Sequence, residues 1–140
     1  MSAINQNYQK ALQLPLSNRI VLAQKSYQAM KTEFNNAYGS WEGYNYALDS
    51  AIAIMACNGD ITQQEYQLFV QITGSSPSYN DIVNNARKIS QQYDRLIRII
   101  TSKGDELKVK VAYYYCVFCA CKNSLNDYEY SFIEKALGIY

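Results

Sequence analysis

Apolar residues recur along this chain at intervals of three and four, in segments separated by short polar or glycine-containing breaks. That spacing predicts amphipathic helices rather than strands. A first helix is expected from Ala3 to Leu14, stopped by Pro15. Ser17 is positioned to cap a second, running to about Phe34 with Ile20, Tyr27, Met30 and Phe34 on one face. After Tyr38-Gly39-Ser40, a third is expected from Trp41 to Cys57, with Tyr44, Ala47, Leu48, Ala51, Ile52 and Met55 as its apolar stripe. Ser78 is read as the cap of one long helix to about Thr101, carrying Ile82, Ala86, Ile89, Tyr93, Leu96 and Ile100 in a heptad-like row. Lys103-Gly104-Asp105 then turns into a helix ending near Lys122, and the last helix, Asp127 to Leu137, meets a glycine C-cap at Gly138. The pattern predicts an all-α, single-domain bundle of about seven helices over residues 1–140, with no linker.

Within this pattern lies an internal repeat at an offset of 64 residues. Ile54 to Tyr66 returns as Phe118 to Tyr130, with Ala56/Ala120, Cys57/Cys121, Glu65/Glu129 and Tyr66/Tyr130 identical; Gly74 and Gly138 follow at the same offset. The first copy carries a capping box, Thr62 with Glu65, and a hydrophobic staple, Ile61 with Tyr66. The second repeats both with Asn126 and Glu129, and with Leu125 and Tyr130. Two coincident capping systems define repeat halves of about 41–74 and 105–138.

Composition narrows the chemistry. There is no histidine, which removes Ser-His-Asp and Cys-His mechanisms and the commonest zinc ligand. Net charge is +1 but unevenly spread: seven bases (Arg87, Lys88, Arg95, Arg98 among them) face three acids between Arg87 and Lys110, whereas Glu42 to Glu65 holds four acids and no base. The basic stretch has no groove-reading signature, so it is read as a solvated face rather than a nucleic-acid track. The longest apolar run, Val111 to Ala120, is far short of the ~20 residues that span a bilayer. The N-terminal residues are polar and lack the order of a signal peptide, and a cytoplasmic protein is expected.

Two metal-like patterns dissolve on inspection. With Gly59 at the sixth position of a calcium loop, Ile61 and Glu65 fall correctly, but Ile54 and Ala56 occupy positions that need oxygen ligands. The second copy puts Phe118, Ala120 and Lys122 there, so Glu65 and Glu129 are read as capping residues. Cys57, Cys116, Cys119 and Cys121 could supply four thiols, yet the repeat places Cys116 and Cys119 at the core positions of Ile52 and Met55. They are expected to pack as free thiols. Of the 14 tyrosines, Tyr113-Tyr114-Tyr115 point three ways around one helix; Tyr115 falls on the core stripe, leaving Tyr113 and Tyr114 as candidates for a contact surface.

The motif Ala-x-x-[Asn/Lys]-[Gly/Asn]-x-[Ile/Leu]-x-x-x-Glu, present twice, resembles that of the TerB-like family, which includes a tellurite-resistance protein and the N-terminal domain of a membrane-anchored DnaJ-type co-chaperone. Ala56, Gly59, Ile61, Thr62 and Glu65 match in the first copy, and Ala120, Leu125 and Glu129 in the second. The resemblance covers roughly residues 41–139 and implies a duplicated helical bundle, a link to stress response, and metal binding through acidic residues. The family's leading aspartate is replaced here by Asn58 and Lys122, which leaves only Asp60 and Glu65 as candidate metal ligands. Neither a cofactor nor a bound metal is expected. The function expected is non-catalytic, through contacts with a protein partner, with Arg87, Lys88, Arg95, Arg98 and the exposed tyrosines as the surface; a homodimer is compatible with it. The alternative is a sensor that binds metal at Asp60 and Glu65, or a small ligand in an apolar cavity between the repeats.

Overall fold

Short local signals set the helix boundaries, and tertiary packing decides where those signals are overridden. In the computed structural model, which describes residues 2–139, the chain forms eight helices and no strand among the described residues: α1 Ala3–Leu12, α2 Leu16–Tyr38, α3 Ser40–Ala56, α4 Gln63–Thr73, α5 Tyr79–Ser90, α6 Tyr93–Thr101, α7 Asp105–Cys121 and α8 Asp127–Ala136. None of these helices is long and apolar enough to cross a membrane.

Pro15 ends α1 and directly precedes α2, its fixed φ suiting the helix entrance. Ser17 therefore lies inside the first turn rather than capping it, and its hydroxyl turns to Asn18. With no breaker before Gly39, α2 runs on past Phe34 to Tyr38. Its far end is held by the Tyr38 phenol, which donates to the Ile99 carbonyl at 2.5 Å.

The expected long helix from Tyr79 to Thr101 is two helices, which raises the count from about seven to eight. Gln91 and Gln92 form the break, with Gln92 at φ −134° and ψ 29°. Packing supplies the reason. α5 buries Ile82 and Ala86 and packs on α3, whereas α6 buries Leu96, Ile97 and Ile100 and packs on α7, α8 and α3. Ser90 adds a local cause, since its hydroxyl donates to the Ala86 carbonyl at 2.8 Å and competes with the backbone ladder.

α7 is the centre of the molecule. α1, α2, α6 and α8 pack around it together with part of α3, so that every residue from Tyr114 to Cys121 is buried. Such a helix is apolar on all sides because it has no solvated face along that stretch. Aromatic pairs fill the space: Tyr114 lies 5.8 Å from Tyr27, and Tyr115 lies 5.7 Å from Phe132. α2 and α3 approach closely at Gly43, where a Cβ would stand 2.7 Å from the Asn35 backbone.

The two sequence copies bury corresponding positions. Gly43, Ala47, Ser50 and Ala51 are buried in α3, and their partners at +64, Leu107, Val111, Tyr114 and Tyr115, are buried in α7; the run Ile52 to Ala56 matches the buried run Cys116 to Ala120. The turn that follows needs a left-handed residue in each copy. Gly59 takes it at φ +113° and Asn123 at φ +58°, asparagine being among the side chains that tolerate this region best.

Candidate functional site

The two helix-turn-helix corners converge on a buried ionic cluster. At the first, the Thr62 hydroxyl accepts from the Glu65 N–H at 3.1 Å, while Glu65 Oε1 accepts from the Thr62 N–H at 3.0 Å. At the second, Asn126 and Glu129 exchange the same two bonds, each at 2.9 Å. Both capping boxes are complete, so Asn126 serves as well as a serine or threonine. One oxygen of each carboxylate is left over, and both meet the ammonium of Lys122. Glu65 Oε2 lies 3.3 Å from Nζ, and Glu129 Oε2 also pairs with it.

This cluster is shielded: the side chains of Lys122, Glu65 and Glu129 are 8%, 4% and 0% exposed. Lys122 is the C-cap of α7, where a cation complements the helix dipole. Burial alone would depress its pKa, but the hydrogen bond to Glu129 and the charges of Glu65 and Glu129 outweigh that and hold it above the ordinary lysine value. A neighbouring anchor, Arg19, donates to the carbonyls of Leu12, Leu14 and Ala120 and to Asn123 Oδ1, tying the α1–α2 corner to the second turn. Neither Lys122 nor Arg19 was identifiable as a paired residue from local pattern.

The two candidate metal ligands sit in unlike surroundings. Asp60 is exposed, whereas Glu65 is buried with its carboxylate engaged by Thr62 and Lys122, so the two do not form one ligand set. Among the described residues, no three of the cysteines, aspartates and glutamates converge where they could hold an ion. Asn58 occupies the first-copy position equivalent to Lys122 and keeps its Oδ1 buried without a hydrogen-bond partner. Cys116, Cys119 and Cys121 are buried in α7 and Cys57 is half-buried. Burial pushes the thiols of Cys57 and Cys116 up to about 12 and that of Cys121 up to about 11, far from a thiolate at neutral pH.

The expected contact surface is partly redrawn. Tyr114 is fully buried, because α2 covers the face of α7 on which a lone amphipathic helix would meet solvent; it cannot contribute to a surface. Tyr113 is half-buried and packs against the core. Arg87, Lys88, Arg95 and Arg98 are all exposed, divided between α5 and α6. The large exposed aromatics are instead Trp41 at 79%, Tyr128 at 69% and Tyr44 at 39%. Tyr66 and Tyr130, paired in the repeat, are half-buried and tie down different segments: Tyr66 donates to the Pro77 carbonyl and Tyr130 to the Ser2 hydroxyl, each at 2.7 Å.

Several shallow clefts open at the surface. One of about 360 Å³ lies between Cys57, of the first repeat half, and α8, of the second. Another, of about 350 Å³, runs between α3 and α5, with Leu48, Ile52, Phe69 and Ile82 beneath, Pro77 in one wall and Tyr44 at the mouth. The Ser75–Pro77 wall is fixed from behind by Tyr66, whose ring meets Tyr79 edge-on at 5.5 Å while Tyr79 donates to the Ile61 carbonyl. Asp49 stands at the inner edge of this groove and also borders a small pit leading to Arg95 on α6. Desolvation raises the Asp49 carboxyl above its ordinary value, and Arg95 partly offsets that. Comparison with family models, with curated proteins and with solved structures finds no match to this chain.

Proposed function

We propose that this chain is a non-catalytic helical module of TerB-like architecture that acts through protein contacts, with the groove between α3 and α5 as its docking surface. The observation that carries this reading is the groove itself: Leu48 and the exposed Tyr44 over the buried Ile52, Phe69 and Ile82, walled by a loop that the Tyr66 hydroxyl holds at Pro77. Side chains of this kind, an aromatic over an aliphatic floor, favour protein recognition. Of the basic residues of α5 and α6, Arg95 alone comes near this groove, across a small pit from Asp49.

A non-catalytic role is supported by the chemistry of the nucleophiles. Histidine is missing from the sequence, and the cysteines sit where burial keeps them protonated. The link to stress response comes from the TerB-like resemblance and forms part of this proposal on that footing. The sensor reading through Asp60 and Glu65 is not favoured, because Lys122 already occupies the space a cation would take beside Glu65.

Site-specific photo-cross-linking tests the reading. A photoactivatable residue at Asn45 in cells of the native host should yield a discrete adduct that Leu48→Glu removes. The same residue at Val109, which is exposed but outside the groove, should not. Equal labelling at both positions, or none at Asn45, would sink it.

A further inference from the structure

Volume does not single out the α3–α5 groove, since clefts of about 310 to 360 Å³ occur at three other places on the surface. What distinguishes it is Asp49. Periodicity turns this carboxylate away from the Leu48 and Ile52 face of α3, yet the structure brings it to the rim of the same cleft, where it is half-buried. It makes no hydrogen bond and no ion pair with another described residue; Arg95 acts on it only from beyond ion-pair distance. The other carboxylates of this acid-rich segment differ. Glu65 is paired with Lys122, while Glu42 and Asp60 are exposed to water.

We propose that the groove takes an apolar segment of a partner protein that carries one lysine or arginine, whose charged head meets Asp49. This rests on the docking reading above and adds the chemistry of the occupant. A basic side chain fits in both its parts. Its methylene stem lies along Leu48 and the Tyr44 ring, and its head reaches a carboxylate that has lost part of its hydration and has no cation of its own. A neutral apolar segment would bury Asp49 further without compensating it, which penalises that occupant. Arg95 weakens the preference, because it repels a second cation nearby. The guanidinium therefore acts as an attenuator of affinity.

Capped pentapeptides Leu-Ala-X-Leu-Ala, with X as lysine, arginine, norleucine or glutamate, provide the probes. Binding is read from the side-chain amide resonances of Asn45 and Asn85, both of which line the groove. The lysine and arginine peptides should shift these signals saturably, about 10- to 100-fold more tightly than norleucine, the range of a charge-assisted hydrogen bond. The glutamate peptide should not bind. Asp49→Asn should bring the lysine peptide down to the norleucine level with the fold intact by circular dichroism, and Arg95→Gln should tighten it.

Equal binding of lysine and norleucine would overturn the cation preference while leaving the docking reading in place. Signals that move with protein concentration alone would make the occupant a second copy of this chain, which also overturns the proposal. If no peptide binds while Asn45 still cross-links, the occupant is of other chemistry and the proposal falls. If neither occurs, the docking reading falls with it.

Discussion

Glu65 and Glu129, 64 residues apart in the sequence, share one ammonium. Each carboxylate gives one oxygen to its own helix cap and the other to Lys122, so one lysine joins the first turns of α4 and α8. Replacing Lys122 by methionine keeps the length of the side chain but leaves two buried carboxylates uncompensated. Stability should fall by about 3–5 kcal/mol, the usual cost of breaking a buried pair. Adding Glu65→Gln in that background should recover part of the loss, because glutamine still completes the capping box while removing one buried charge. Urea titration of the single and double variants measures this, and additive losses would contradict a shared cation.

At Gly43 the helix-propensity rule should fail. Alanine is favoured over glycine inside a helix by about 1 kcal/mol. Here the added methyl would stand 2.7 Å from the backbone of Asn35, and two helix backbones would have to separate. Gly43→Ala should destabilise by about 2 kcal/mol net, in the range of overpacked cores. A variant more stable than the parent would mean that α2 and α3 yield without cost.

Tyr66→Phe removes the donor to the Pro77 carbonyl and little else, since the ring can keep its contact with Tyr79. The expected loss is about 1 kcal/mol. The more telling readout is local: amide exchange should quicken in the Ser75–Ser78 segment, the wall of the groove, before it changes in α7. Protection unchanged in that wall would separate Tyr66 from the site.

Alkali should unfold this protein for a definable reason. Burial raises Cys57 and Cys116 from 9.0 to about 12 and Cys121 to about 11, and it raises Tyr27 and Tyr114 as well. The unfolded chain releases these protons first, so stability is full below about pH 9 and declines as pH rises through the folded values. Lys122, also raised, adds to the decline above its unfolded value of 10.5. Each group contributes up to about 1.4 kcal/mol per pH unit within its window. Urea midpoints should stay flat from pH 7 to 8.5 and fall beyond 9, and Cys116→Val should make that fall shallower.

The caps, the repeat and most boundaries were readable because they rest on local chemistry. Thr62 and Glu65, or Asn126 and Glu129, announce a helix start within four residues. The break at Gln91 and Gln92 was hidden for a physical reason. Ile82, Ala86, Ile89, Tyr93, Leu96 and Ile100 stay in one heptad phase across it, so the pattern continues where the backbone does not. Tyr114 was misplaced because a one-faced helix was assumed for α7. The uninterrupted apolar run from Val111 to Ala120 was the sign that this helix is enclosed. Lys122 was hidden for two reasons: its partner Glu65 lies 57 residues away, and Glu129 comes back to it only across the turn between α7 and α8. The groove was half legible: Tyr44, Leu48 and Ile52 stood in the expected stripe of α3, but that they border a cleft depends on where α5 packs.

Lys122 also makes the two copies unequal. Two identical half-chains meeting as a dimer would carry the same residue at both copies of this position, giving two lysines or two asparagines. This chain carries asparagine at one copy and lysine at the other, so its two corners are not interchangeable. With Lys122 serving both caps, the chain cannot be divided into two equivalent, self-sufficient units.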